Sequence, residues 1–93
     1  MTQDLTNVRR VDEPSAEAYL RVVGQRVRQE RQKRGMSRRV LAETSGVSER
    51  YLAELERGAG NASVLLLRQV ASALNVRIED LASEPEVFAA AAE

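Results

Sequence analysis

Cysteine and histidine are both absent from this 93-residue chain. Without cysteine there is no disulfide, and without either residue the usual zinc sites are excluded. The lack of histidine also removes the commonest general base, so an enzymatic reading starts from a poor inventory. Aromatics make up 3% of the residues, tryptophan is missing, and prolines number two and glycines five. With so little punctuation, each glycine and each capping residue carries weight. No apolar run approaches the roughly 20 residues of a membrane span, and the N-terminus has no signal-peptide core. The expectation is a soluble, cytoplasmic chain that binds no cofactor or metal and makes no membrane contact. The length allows one small domain with tails, for which compact helical packing is the economical solution.

The chain also lacks an excess of either charge: 14 basic residues face 14 acidic ones. That balance alone argues against a nucleic-acid partner, but its distribution reverses the argument. Between Arg21 and Arg39 eight basic residues stand against the single acid Glu30; between Val76 and Glu93 five acids stand against Arg77. A molecule so divided can present one half to phosphates and turn the other away.

Residues 36–58 are the most informative stretch. They read as two short helices, about 38–45 and 49–57, each with its own start and stop. Ser37 and Ser48 are N-caps, while Gly46 and Gly58 can end their helices in the left-handed conformation. Leu41, Ala42, Ser45, Val47, Leu52 and Leu55 would close the inner faces, with Ala42 permitting a close crossing. This is the layout of a helix-turn-helix, whose second helix enters the DNA major groove.

Around that pair, residues 1–15 read as a disordered tail, with Pro14 and Ser15 opening the first helix. Ala16, Leu20, Val23 and Val27 recur at helical spacing and form one apolar stripe. Arg21, Arg26, Arg28, Lys33 and Arg34 fall largely off it, and Gly35 ends the helix. Ala59-Gly60-Asn61-Ala62 is a loop, and Ser63 caps a fourth helix over 64–74. Its inward stripe is Val64, Leu67, Val70, Ala71 and Leu74, and Asn75 is its stop. Leu65 and Leu66 are extra apolar residues, either a wider core contact or a patch for a second subunit or partner domain. Val76 and Ile78 lead into a short fifth helix around 79–83, with Leu81 inward. Residues 84–93 are a C-terminal tail or linker. The expected domain is therefore 16–83, all-α, with five helices and no strand.

With Arg31, Gly35-Met36-Ser37, Leu41-Ala42, Gly46-Val47-Ser48, Leu52, Leu55-Glu56-Arg57-Gly58, Asn61 and Ser63 in place, residues 20–83 resemble the lambda-repressor/Cro-type (xenobiotic-response-element) family. The resemblance implies a compact five-helix DNA-binding domain. A narrower resemblance lies in residues 47–53 and 60–71. These are similar to regulators of benzoate degradation that respond to benzoyl-CoA and carry a shikimate-kinase-like domain after the DNA-binding one. This chain has no GxxxxGK[ST] phosphate loop, so any effector-binding domain would lie outside it.

A recognition helix starting at Ser48 exposes Glu49, Arg50, Ala53, Glu54 and Arg57 opposite Leu52 and Leu55. Arg50 is the leading candidate for base readout, because a guanidinium can bridge guanine O6 and N7; the competing role is a solvated pair with Glu54. Glu49 can accept from cytosine N4 or orient Arg50 or Arg39. Ser48 is first a cap and second a donor to DNA, and Ala53 lets the helix sit deep or meets a thymine methyl. By resemblance, Arg38 and Asn61 stand where the family contacts phosphates, with a turn-capping role as the alternative for Asn61. Arg39 can reach the same strand, Arg57 and Lys33 are weaker candidates, and Tyr51 either bonds a phosphate or covers the motif. Also by resemblance, Arg31 and Glu56 form a partly buried ion pair. Together these imply a bacterial transcription regulator, most simply a repressor that binds a two-part operator as a homodimer. The alternative is a protein-interaction module, such as an antitoxin or adaptor, built on the same fold.

Overall fold

The protein is described by a computed structural model, which covers residues 15–60 and 62–85. Among the described residues five helices follow one another: α1 (Ala16–Lys33), α2 (Arg38–Ser45), α3 (Glu49–Arg57), α4 (Val64–Leu74) and α5 (Ile78–Ala82). There is no strand among the described residues. Residues 1–14 of the expected 1–15 tail, Asn61 and residues 86–93 lie outside the described part, whereas Ser15 belongs to the start of α1 as its cap.

The limits of α2 and α3 follow from local chemistry. The Ser37 hydroxyl accepts from the Val40 N–H at 3.1 Å, and the Ser48 hydroxyl accepts from the Tyr51 N–H at 3.0 Å. Each such cap is worth about 1 kcal/mol. Gly46 and Gly58 close the two helices at φ values of 77° and 73°, where a side chain would be strained. Ser15 caps α1 and Ser63 caps α4 in the same way, and Asn75 ends α4 in the left-handed region.

α1 crosses α3 at Gly24, a residue whose position in the middle of an 18-residue helix is otherwise unfavourable. A Cβ there would sit 2.8 Å from the Glu56 carbonyl oxygen, so the two helix backbones touch directly. Below the crossing lies the core, built from Val23 and Val27 of α1, Leu41 of α2, Leu52 and Leu55 of α3, Leu67, Val70 and Leu74 of α4, and Leu81 of α5. Val47, in the turn of the motif, is buried among them.

Three sequence expectations are corrected, and the open choice at Leu65 and Leu66 is decided. The α1 stripe does not run through Ala16, which is exposed; Tyr19, one turn before Val23, packs on the core instead. Val64 is 70% exposed, because the α4 face that meets the core begins at Leu67. Leu66 is half-buried against the core, whereas Leu65 is 67% exposed, so the two part company. The fifth helix spans 78–82, one residue earlier than expected, and Asp80 fixes its start by accepting from the Arg77 N–H at 2.9 Å.

Five residues make a helix too short to persist alone. α5 is held by burying Leu81 and by two side chains of α1. The Tyr19 hydroxyl donates to the Ala82 carbonyl oxygen, and Arg26 Nη1 donates to the carbonyl oxygens of Leu81 (3.1 Å) and Ser83 (2.6 Å). Those are carbonyls that a helix end leaves without partners. A similar bond from Gln69 Nε2 to the Ser45 carbonyl oxygen, at 3.1 Å, ties α4 to the last turn of α2.

Candidate nucleic-acid interface

α3 buries Leu52 and Leu55 and turns the opposite side outward. On that outer side the Arg50 side chain is 90% exposed and its Nε stands 3.7 Å from Glu54 Oε2. The pairing is loose and solvated, of a kind worth at most about 1 kcal/mol, so it tethers the guanidinium without immobilising it. Glu49 and Arg57 are exposed, while Ala53 and Glu54 are half-buried. Ser48 has its hydroxyl engaged as the cap. Glu49 makes no hydrogen bond or ion pair with Arg50 or Arg39; Arg39 stands 3.6 Å from Glu43 instead, one turn along α2. The orienting role expected of Glu49 is therefore not realised.

Behind the exposed face lies the cluster that joins three helices. Glu56, in the last turn of α3, has a side chain only 4% exposed. Arg31 of α1 grips it with two parallel bonds, Nε to Oε2 at 2.7 Å and Nη2 to Oε1 at 3.0 Å, and donates a third from Nη1 to the Met36 carbonyl oxygen at 2.8 Å. The bond to Glu56 holds the Arg31 guanidinium above its usual range despite the opposing cost of burial. Arg38, first residue of α2, donates from Nε to the same Glu56 Oε1 at 3.2 Å. The ion pair expected between Arg31 and Glu56 is present, and it has a third member.

The other basic residues of the 21–39 segment divide between structure and surface. Arg26 is spent on the carbonyls of α5. Lys33 and Arg34 both bind Glu30, at 3.2 and 2.8 Å, and these bonds lower the Glu30 pKa. Arg39 remains 78% exposed and Arg38 46% exposed, beside the start of α2. The strongly basic count of the sequence thus reduces to a smaller set at the motif itself. Tyr51 braces the loop between α3 and α4: its hydroxyl oxygen accepts from the Ser63 N–H at 3.1 Å, leaving its own proton for a further acceptor. Asn61 is outside the described residues.

Sequence reasoning passed over Gly24, Tyr19, Arg26 and Gln69. A signal existed only for Gly24, since a glycine inside a strongly periodic helix implies a close approach. No helix among the described residues is long and apolar enough to cross a membrane.

The family profile described as Helix-turn-helix matches residues 27–81, more than half of the chain. The transcriptional regulator SinR of Bacillus licheniformis is 36% identical over 66 residues, which are 70% of this chain and 60% of that protein. The chain thus spans less than two thirds of that relative. Among solved structures, the restriction-modification controller protein C.AhdI from Aeromonas hydrophila is 36% identical with a TM-score of 0.67, covering 69% of this chain and 97% of that one. The clp gene regulator ClgR from Corynebacterium glutamicum is 36% identical with a TM-score of 0.64, covering 86% and 78%. All three similar proteins are regulators rather than enzymes.

Proposed function

Since the chain belongs to the Helix-turn-helix family, we propose that it is the DNA-binding part of a transcription regulator and docks α3 into the major groove. The observation that carries this reading is the exposed side of α3, where the Arg50 side chain is 90% exposed and held only by a loose pair with Glu54. In this reading Arg50 reads a guanine. Ser48, Glu49, Ala53 and Glu54 shape the rest of the base-facing surface. Arg38, Arg39, Tyr51, Arg57 and Asn61 bind phosphates, which position the protein without reading sequence.

The finer reading is a repressor that binds as a two-fold dimer to half-sites about one helical turn apart. Likeness of residues 47–53 and 60–71 to benzoyl-CoA-responsive regulators favours aromatic catabolism as the process controlled, with the effector bound by a domain outside this chain. Inspecting whether the reading frame continues into a kinase-like domain tests that extension. Glu49 and Glu54 on the outward side of α3 favour a second reading, in which the same face binds a protein.

A binding titration on the DNA upstream of the encoding gene, repeated across salt concentrations, separates the two. Docking as described requires that Arg50→Ala reduce the preference for the specific site by about 1–3 kcal/mol. Arg38→Ala should weaken binding to all duplexes alike. Wild-type protein with no salt-sensitive DNA binding would favour the protein-binding alternative.

A further inference from the structure

Two arginines meet on the Glu56 carboxylate, and their situations differ. Arg31 is buried and wholly committed: its Nε and Nη2 go to Glu56, and its Nη1 goes to the Met36 carbonyl oxygen. It has no means of reaching a ligand. Arg38 lends only its Nε, at 3.2 Å, and its side chain is 46% exposed. Among the described residues neither Nη of Arg38 donates a hydrogen bond to protein. Glu56 itself is 4% exposed and already held in a fixed orientation by the two-bond grip of Arg31.

We propose that Glu56 is a positioning residue for DNA docking: anchored by Arg31, it holds Arg38 by Nε so that both terminal amino groups face a backbone phosphate. This deepens the function proposed above and rests on it. A guanidinium can serve two oxygen partners at once because its five N–H groups form a rigid fork, whereas a lysine ammonium is a single point charge on a flexible stem. The carboxylate counts for one negative charge against two positive ones, so the cluster keeps a net charge of +1 for the phosphate. Fixing the fork beforehand also lowers the ordering cost that a swinging surface arginine would meet on binding.

The test uses the full chain, a mixed-sequence duplex of about 20 base pairs, and a salt series, because phosphate contacts do not depend on sequence. Arg38→Ala should leave the folded state intact by circular dichroism, weaken duplex binding by roughly tenfold, and lower the salt slope by about 1. Arg38→Lys keeps the charge, and so the slope, yet should recover less than half of the lost affinity on a logarithmic scale. Glu56→Gln, assayed below its melting temperature, should resemble Arg38→Lys: weakened binding at an unchanged slope. In the Arg38→Ala background it should add no further loss of affinity. Lysine restoring wild-type affinity, or folded Glu56→Gln binding as wild type does, overturns the proposal. If Glu56→Gln does not fold, the lysine variant decides alone. A lowered melting temperature of Arg38→Ala with unchanged DNA binding would make Arg38 a purely structural member of the cluster. Absence of any duplex binding by the wild-type chain would instead defeat the function on which this inference rests.

Discussion

Replacing Gly24 with alanine pits two effects of opposite sign against each other at one position. Within a helix, alanine is favoured over glycine by about 1 kcal/mol, since it restricts the unfolded chain and exposes less backbone. At Gly24 the new methyl would meet the Leu55 carbonyl oxygen, and it would lie 2.8 Å from the Glu56 carbonyl oxygen and 2.9 Å from that carbonyl carbon. These are backbone atoms of a helix pinned by fully buried Leu52 and by Leu55, so no side chain can swing aside. α1 and α3 must move apart, which opens packing along the whole crossing. Overpacking of this kind costs about 1–3 kcal/mol even where flexible side chains can yield, and more against backbone. A net loss of about 2 kcal/mol is expected, a large share of the roughly 5–10 kcal/mol available to a domain of this size. The melting temperature should fall by about 8–16 °C. Urea unfolding followed by circular dichroism reads this directly, as a lower midpoint with an unchanged slope. Gly35→Ala is the companion measurement, because nothing lies within 4 Å of its Cβ and only its left-handed φ of 64° opposes the change. It should cost about 1 kcal/mol. If Gly24→Ala were as stable as wild type, or more so, the direct backbone contact between α1 and α3 would be refuted.

Three further outcomes are expected. Arg31→Ala leaves the Glu56 carboxylate buried with only Arg38 beside it, so it should cost about 3–5 kcal/mol in chemical denaturation, and Arg38→Ala far less. Leu67→Ser, at a core position, should destabilise by more than about 2 kcal/mol, whereas Val64→Ser on the exposed side should stay within about 0.5 kcal/mol. Bonds from Arg34 and Lys33 lower the folded Glu30 pKa from 4.5, so its contribution is present above that value and is lost as pH falls through the depressed folded one. A Glu30→Gln variant should therefore lose slightly less stability than wild type on acidification below about pH 4.5, by under about 1 kcal/mol because the pair is partly solvated.

Local chemistry made much of this legible in advance. The limits of α2 and α3 coincide with the expected 38–45 and 49–57 because Ser37, Ser48, Gly46 and Gly58 act within a few residues of themselves. The Arg31–Glu56 pair followed from family likeness. What escaped depends on another element's position. Val64 and Leu67 are alike in hydrophobicity, and only the placement of α4 decides that one is exposed and the other buried. Arg26 reads as surface charge until α5 brings its last carbonyls within reach. The same holds for Arg38, whose donor to Glu56 spans 18 residues of sequence. Charge counted along the chain therefore overstates what the motif can offer to a phosphate.

The grip of Tyr19 and Arg26 on the last turn of α5 brings the opening turn of α1 beside the end of α5. The order in which the helices are strung is then separable from their arrangement. A peptide bridge from the end of α5 to the start of α1, with new ends cut in the α3–α4 loop, would give a circular permutant with every core contact retained. Such a permutant would present α3 and α4 at its two ends, so a fused domain could be carried directly from the element that bears Arg50.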